Sequence, residues 1–279
     1  MKLFVDDLTH VDFSYLDAAR GLLGESWVVR LELDGSLNDE GMICDFGIVK
    51  KRVKQWFDEG IDHALAVATG MPGVKVNQSA GRTEVLWSDH QGVPFRCAGP
   101  DQAFALLDLE SITPENVAKW CESRLKALFP DEVQGLRLTL YPESIDGAFY
   151  HYSHGLQKHQ GNCQRIAHGH RSRIQVLVDG ERSEEQERQW AEHFRDIYIG
   201  TVSHLQREEA GISYFSYAAP QGDFELSLRS DRVYMIDTES TVEQIAQHMA
   251  RKTAQRLPGH QVEVRAFEGL GKGAIAGNT

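Results

Sequence analysis

The chain repeats itself, and that repeat limits its fold more than any other feature. The run LGESWVVRLELDG, from Leu23 to Gly35, parallels HGHRSRIQVLVDG, from His168 to Gly180. Further on, FALLDLESITPENVA (Phe104 to Ala118) parallels VYMIDTESTVEQIA (Val233 to Ala246) with a one-residue slip. Two matched blocks in the same order argue against chance similarity between unrelated domains. Each first block reads as an amphipathic strand ending in an Asp-Gly turn. A helical pattern with aromatics follows: Phe46, Val49, Val53, Trp56 and Phe57 closed by Gly60, then Trp190, Phe194, Ile197 and Tyr198 in the second half. Thr113-Pro-Glu-Asn and Thr241-Val-Glu-Gln are matching helix starts, each with a capping hydroxyl and an acid in the first turn. Strands ending near Glu143 and Glu268 come last in each half. The order strand, strand, helix, loop or hairpin, helix, strand, strand predicts an α+β fold, with helices on one face of an antiparallel sheet. It divides the 279 residues into units 1–146 and 147–279. A lone unit leaves sheet edges unpaired, so closure into a barrel with further copies is expected.

Charge narrows the function. Acidic side chains outnumber basic ones 41 to 29, a net charge of -12, which excludes nucleic acid as the main partner because phosphate binding needs a basic face. No apolar run approaches the roughly 18 residues of a membrane span, and MKLFVDDLTH does not read as a signal peptide. Cys44, Cys97, Cys121 and Cys163 form no CxxC pair, so reduced thiols and a cytoplasmic location are the expectation.

Histidine is the conspicuous residue: five of the 12 lie between His151 and His170. His168 and His170 are two apart on a predicted strand and point to one face. His154, on the preceding strand of the same hairpin, can come opposite them. Three imidazoles with an open fourth position suit a catalytic zinc. Read alone, HGH is equally a solvated strand end; His154 upstream and Cys163 between make metal binding the stronger reading. Cys163 is a candidate base or nucleophile, or an inert loop thiol. Cys121 falls on an apolar stripe with Val117, Leu125 and Leu128. His151 and His159 read as surface or supporting residues.

These residues resemble a known family. The pattern F/Y-x-x-x-H-x-L, then a cysteine before HGH, then a strand ending in D/N-G, is similar to 6-pyruvoyl-tetrahydropterin synthase and its bacterial relative 6-carboxy-5,6,7,8-tetrahydropterin synthase. In the first half, GMICDFGIVKKRVKQWFDEGIDHAL resembles the family's GM-x-x-DF…DH-x-L segment. The resemblance implies tandem units of the tunnelling fold (T-fold), an antiparallel sheet with helices on one face, assembling into a barrel. It implies a zinc ion on His154, His168 and His170, with Cys163, Asp62 and His63 as catalytic groups. Glu268 would anchor the pterin ring, with Thr241 and Glu243 as pocket neighbours; Glu268 is otherwise a strand-end surface glutamate. The implied reaction is a lyase step on 7,8-dihydroneopterin triphosphate giving 6-carboxy-5,6,7,8-tetrahydropterin. The alternatives are pyruvoyl-tetrahydropterin synthase activity, or a T-fold protein that binds a pterin or purine-like ligand without turnover.

Neither half carries the full set. At the HGH positions the first half has Leu23 and Glu25, with only His10 nearby; the second half has Ser203-His204 as its loose match to Asp62-His63. The losses are complementary and predict a divided site, with metal, thiol and anchor from unit two and Asp62-His63 from unit one. Three tandem chains, or a multiple, would reproduce six units of a homo-oligomer. An anionic substrate on an acidic chain needs local cations, and Lys158, Arg165, Arg171 and Arg173 are the candidates, although they read equally as ordinary solvated strand charges.

Overall fold

The computed structural model describes residues 1–278. Its first half opens with a long hairpin, β1 (Lys2–Asp17) and β2 (Gly21–Gly35), followed by α1 (Phe46–Gly60). Asp45 caps α1, its side chain accepting from the Gly47 and Ile48 amides. Then come β3 (Leu65–Ala68), a meander of β4 (Lys75–Ser79), β5 (Arg82–Ser88) and β6 (Pro94–Pro100), β7 (Phe104–Leu107), α2 (Pro114–Leu125) capped by Thr113, and β8 (Val133–Pro142). The second half repeats the plan. It has β9 (Phe149–His154), β10 (His168–Val178), a short β11 (Glu181–Arg182), α3 (Glu184–His193) and β12 (Ile197–Thr201). The meander is β13 (Leu205–Glu209), β14 (Ile212–Ala219) and β15 (Gly222–Arg229), followed by β16 (Val233–Ile236), α4 (Val242–Arg256), β17 (Val262–Phe267) and β18 (Gly273–Gly277).

The two sheets have the same strand order, β7-β3-β1-β2-β8 and β16-β12-β9-β10-β17, the second extended by β18. Both are mixed rather than purely antiparallel, because β3 and β12 run parallel to β1 and β9, and β7 and β16 parallel to β3 and β12. Register equates the halves residue by residue. Ser14 lies opposite Gly24 and beside Leu65; Ser153 lies opposite Gly169 and beside Tyr198. The helix expected through Ile197 and Tyr198 ends at His193, and those two residues begin β12 after Asp196 turns the chain at φ +57°.

Each sheet buries one face under its own helices, through Val49, Val53 and Phe57 in one half and Trp190, Ile245 and Met249 in the other. The other faces meet each other. A Cβ on Gly24 would lie 1.8 Å from the Tyr152 carbonyl oxygen, and one on Gly169 would lie 2.6 Å from the Gly24 Cα. Ordinary stacked sheets stand about 10 Å apart; glycine here lets two backbones touch. The buried Ser14 and Ser153 hydroxyls hydrogen-bond at 2.7 Å between equivalent positions, marking a local pseudo-two-fold axis. A second junction joins the meanders into one six-stranded sheet, where β6 pairs with β15. Arg96 bridges Glu84 and Glu225 there, and Arg82 also reaches Glu225.

Gly24→Ala is therefore expected to destabilise the protein by about 1–3 kcal/mol or more through overpacking. Gly60→Ala, at a helix end with open space around it, should shift stability by no more than about 0.5 kcal/mol. Urea denaturation of the two variants checks the contrast.

Candidate metal and active site

β9 and β10 set the imidazoles. His154 and His168 are directly opposed across the ladder, and His170 follows on the same face, which further along carries the core residues Ile174 and Val176. The ring centroids are 4.4, 5.3 and 5.7 Å apart, and all three side chains are buried. His154 Nδ1 donates to the Ser240 carbonyl at 2.8 Å, and His168 Nδ1 to the Arg165 carbonyl at 2.9 Å. Those bonds fix the tautomer and leave each Nε2 as a lone-pair donor without a partner among the described residues, where neither ring nitrogen of His170 has a hydrogen-bond partner either. One donor atom from each histidine falls within 4.8 Å of the others. Burial, with the neighbouring rings, pushes His154 and His168 well below the usual histidine range, so both are neutral. Buried, unpartnered ring nitrogens converging on one point are what a metal ion requires, and these three fit zinc.

The first half contributes a second group of residues at this place. The loop before β3 carries Asp62 and His63, the latter at φ +55°. His63 Nδ1 lies 2.5 Å from Asp62 Oδ2, and its ring is 5.2 Å from that of His168. Cys163 is in the short 3-10 turn Asn162–Gln164, within the loop joining β9 to β10. Donor atoms of His63, Cys163 and His168 also lie within 4.8 Å of one another. Burial opposes charge on His63, but the hydrogen bonds it donates to the Asp62 carboxylate and the Cys163 sulfur outweigh burial and hold the ring near 10. The Cys163 loop is pinned by Gln164, whose carbonyl accepts from the Tyr217 hydroxyl and whose side-chain oxygen accepts from the Gln221 amide.

Glu268, at the turn between β17 and β18, brings Oε1 to 3.8 Å from His170 Nε2, and Lys272 stands 3.9 Å from its other oxygen. Thr241 caps α4; its neighbour Ser240 is what touches His154. Glu243 is exposed in the first turn of α4 and makes none of the contacts around the imidazoles. Of the basic candidates, Arg165 donates to the Asp62 and His63 carbonyls, Arg171 to the Glu143 carbonyl, and Arg173 lies over Phe267 with Glu143 at 3.5 Å. The three arginines thus brace the fold, and only Lys158 is fully out in solvent. The sequence pattern did not single out Asp12 and Lys272. Asp12 looks like an ordinary polar residue of β1, and the only available signal was its place three residues before the first-half counterpart of His154.

That counterpart is Tyr15: register equates Tyr15, Leu23 and Glu25 with His154, His168 and His170. It also equates His63 with Asp196 and Asp62 with Arg195, each pair preceding equivalent strands, and His63 and Asp196 share a positive φ. The match of Ser203-His204 to Asp62-His63 is therefore wrong. His204 is instead buried against Tyr217, 3.5 Å from Glu239. Asp196 pairs with Arg20, and Glu25 faces His151 at 3.9 Å. The first hairpin has only a tight turn where the second has the Cys163 loop. A cavity of about 210 Å³ lies beside that turn, lined by Arg20, Trp87, Phe95, Asp196 and Tyr198 among others.

With that geometry in view, comparison with known proteins assigns the class. The sequence profile of the 6-pyruvoyl tetrahydropterin synthase family matches residues 7–151 and again 147–277. The chain belongs to that family, as a tandem member. A 6-carboxy-5,6,7,8-tetrahydropterin synthase from Rickettsia bellii is 30% identical over 79 residues, which are 27% of this chain and 57% of the relative. The Rickettsia conorii protein of the same name is 32% identical over 60 residues, 21% of this chain and 44% of the relative. The chain thus spans about half the length of these curated relatives. Among solved structures, 6-pyruvoyl tetrahydropterin synthase from Plasmodium vivax aligns at 17% identity and a TM-score of 0.43, over 52% of this chain and 91% of that one.

Two measurements test the paired loci. The purified protein should carry about one zinc per chain by elemental analysis, and His168→Ala should lose it. Burial raises Glu25 to about 7, so its contribution to stability is complete below its unfolded value and is lost as pH rises through 7. Melting temperatures between pH 5 and pH 8.5 should fall more steeply for the wild type than for Glu25→Gln.

Proposed function

We propose that the chain is a zinc-dependent tetrahydropterin synthase of the lyase type, converting 7,8-dihydroneopterin triphosphate to 6-carboxy-5,6,7,8-tetrahydropterin. The observation that carries this reading is the meeting of His63 with Cys163 and His168: residues from both halves converge within one chain, where a protein that only bound ligand would need no such set. The names of the curated relatives favour the carboxy product over the pyruvoyl one. Units 1–146 and 147–279 are the natural divisions, and the open edges of both sheets suit assembly of three tandem chains into a barrel.

His154, His168 and His170 would hold the ion. When bound, zinc would supply a Lewis acid able to polarise side-chain oxygens of the substrate. The protein's own groups do the rest. Cys163 removes or delivers a proton from one side. His63, with Nδ1 committed to Asp62, has Nε2 for proton transfer from the other, and Asp62 holds the ring as an imidazolium ready to give that proton. The Glu268 carboxylate accepts from the amino group and ring N–H of the pterin. Asp62 also accepts from the Asp12 amide at 2.9 Å, which keeps the Asp62-His63 pair in place as charge moves.

Incubation of zinc-loaded protein with dihydroneopterin triphosphate, followed by mass analysis, should give acetaldehyde, free triphosphate and the carboxy product. A pyruvoyl product would change the assignment, and no product would end the enzyme reading. Cys163→Ala and His63→Gln should each lower kcat by about 10²–10⁴-fold, as expected for loss of general acid–base groups, while keeping zinc content.

A further inference from the structure

Resting on the reading that the three histidines hold a divalent ion, the environment of His170 adds a residue to the centre. His154 and His168 each spend Nδ1 on a backbone carbonyl, whereas His170 has none. Its Nδ1 instead faces the Asp12 carboxylate of the first half, with Oδ1 at 3.3 Å. Asp12 is buried and cannot swing away: the Ser26 hydroxyl donates to Oδ1, and Lys272 Nζ lies 3.5 Å from Oδ2. Its backbone is committed as well, the amide to Asp62 Oδ1 and the carbonyl to the His63 amide at 2.6 Å. A desolvated carboxylate held this firmly is costly unless it serves a partner.

The pseudo-two-fold shows that this juxtaposition is a property of the fold. Asp12 is the register equivalent of His151, and His170 of Glu25. At the other locus the same two positions face each other as His151 and Glu25, with the acid and the imidazole exchanged. Only at the locus with three histidines does the carboxylate come from the opposite half and point at a candidate ligand.

We propose that Asp12 is the positioning carboxylate of the metal centre, orienting His170 and strengthening it as a ligand, so that both halves together set the affinity for the ion. A carboxylate on the far nitrogen of a ligating imidazole fixes ring orientation and raises its basicity, and losing one typically costs about 10–100-fold in metal affinity. Asp12 also ties the ion to the proton-transfer pair, since the same residue faces His170 through its side chain and holds Asp62 and His63 through its backbone.

The test is zinc affinity by competition with a chromophoric chelator, read beside melting of the metal-free protein and the visible spectrum of the cobalt-substituted form. Asp12→Asn should bind zinc about 10–100-fold more weakly, alter the cobalt spectrum, and melt close to the wild type when metal-free. Affinity within about threefold of wild type, with His168→Ala losing zinc, would overturn the role of Asp12 and leave the three-histidine site standing. If His168→Ala also kept wild-type affinity, the metal site itself would be wrong, which is a separate failure. Should Asp12→Asn not fold, Ser26→Ala, which frees the Asp12 carboxylate without removing it, should weaken zinc binding several-fold. An unchanged affinity in that variant would assign Asp12 to folding alone.

Discussion

The contact between the backbones at Gly24 and Gly169 governs the rest of the molecule. Two sheets kept a normal side chain's distance apart would leave Asp12 and the Asp62-His63 loop out of reach of the histidines. With no Cβ at either position, β2 lies on the Tyr152 carbonyl and the His170 amide, and the Ser14–Ser153 hydrogen bond satisfies the polar groups that this approach buries. The divided site follows from that geometry. A fold in which each unit's ligand-bearing strand lies against its twin needs only one complete set of chemical groups per pair of units.

Much of this was legible in the sequence because it is written in local pattern. The parallel of Leu23 with His168 is the register that the ladders adopt, and Thr113 and Thr241 cap the helices they were expected to start. The histidine hairpin needed only alternation along a strand. What escaped was what depends on backbone conformation or on the other half. Arg195-Asp196 shares no side-chain chemistry with Asp62-His63, and only the positive φ and the ladder beside it reveal the equivalence. Parallel pairing of β3 and β12 leaves no mark in such short strands. Arg165, Arg171 and Arg173 look like solvated cations in the sequence, yet carbonyls, carboxylates and aromatic rings from distant segments engage them. Asp12 is legible only once β1 is seen to run beside His170.

The two equivalent loci have followed different courses. In the first unit Leu23 has become core, Tyr15 is buried, and the hairpin is cut to a turn held by Asp17 accepting from the Ala19 and Arg20 amides. Glu25 and His151 remain as a buried acid and imidazole, both with their charged forms disfavoured by burial. Below pH 7 the pair is neutral and cheap to bury, so this locus holds the fold without an ion. The second unit keeps the long loop, and with it Cys163, at the cost of a less compact hairpin that Gln164, Tyr217 and Gln221 must pin.

Charge at the histidine locus bears on how an acidic chain would hold the anionic pterin proposed as its substrate. Asp12, Asp62 and Glu268 bring three carboxylates to the three imidazoles, against Lys272 and the His63 imidazolium. With a divalent ion bound, and its ligating imidazoles therefore uncharged, these groups would carry one net positive charge. Burial lowers the effective dielectric around the site, whereas the surface carboxylates that make up most of the -12 are solvated and screened beyond about 10 Å at moderate salt. The local field at the proposed substrate would therefore depend on the ion and on Lys272, not on the chain's overall balance. Asp12 contributes to both, since it lies between His170 and Lys272 and holds each in place. On the role proposed for Asp12, removing that one carboxylate would loosen the ion and leave Lys272 with Glu268 alone, so a residue of the first half would matter to the chemistry of the second.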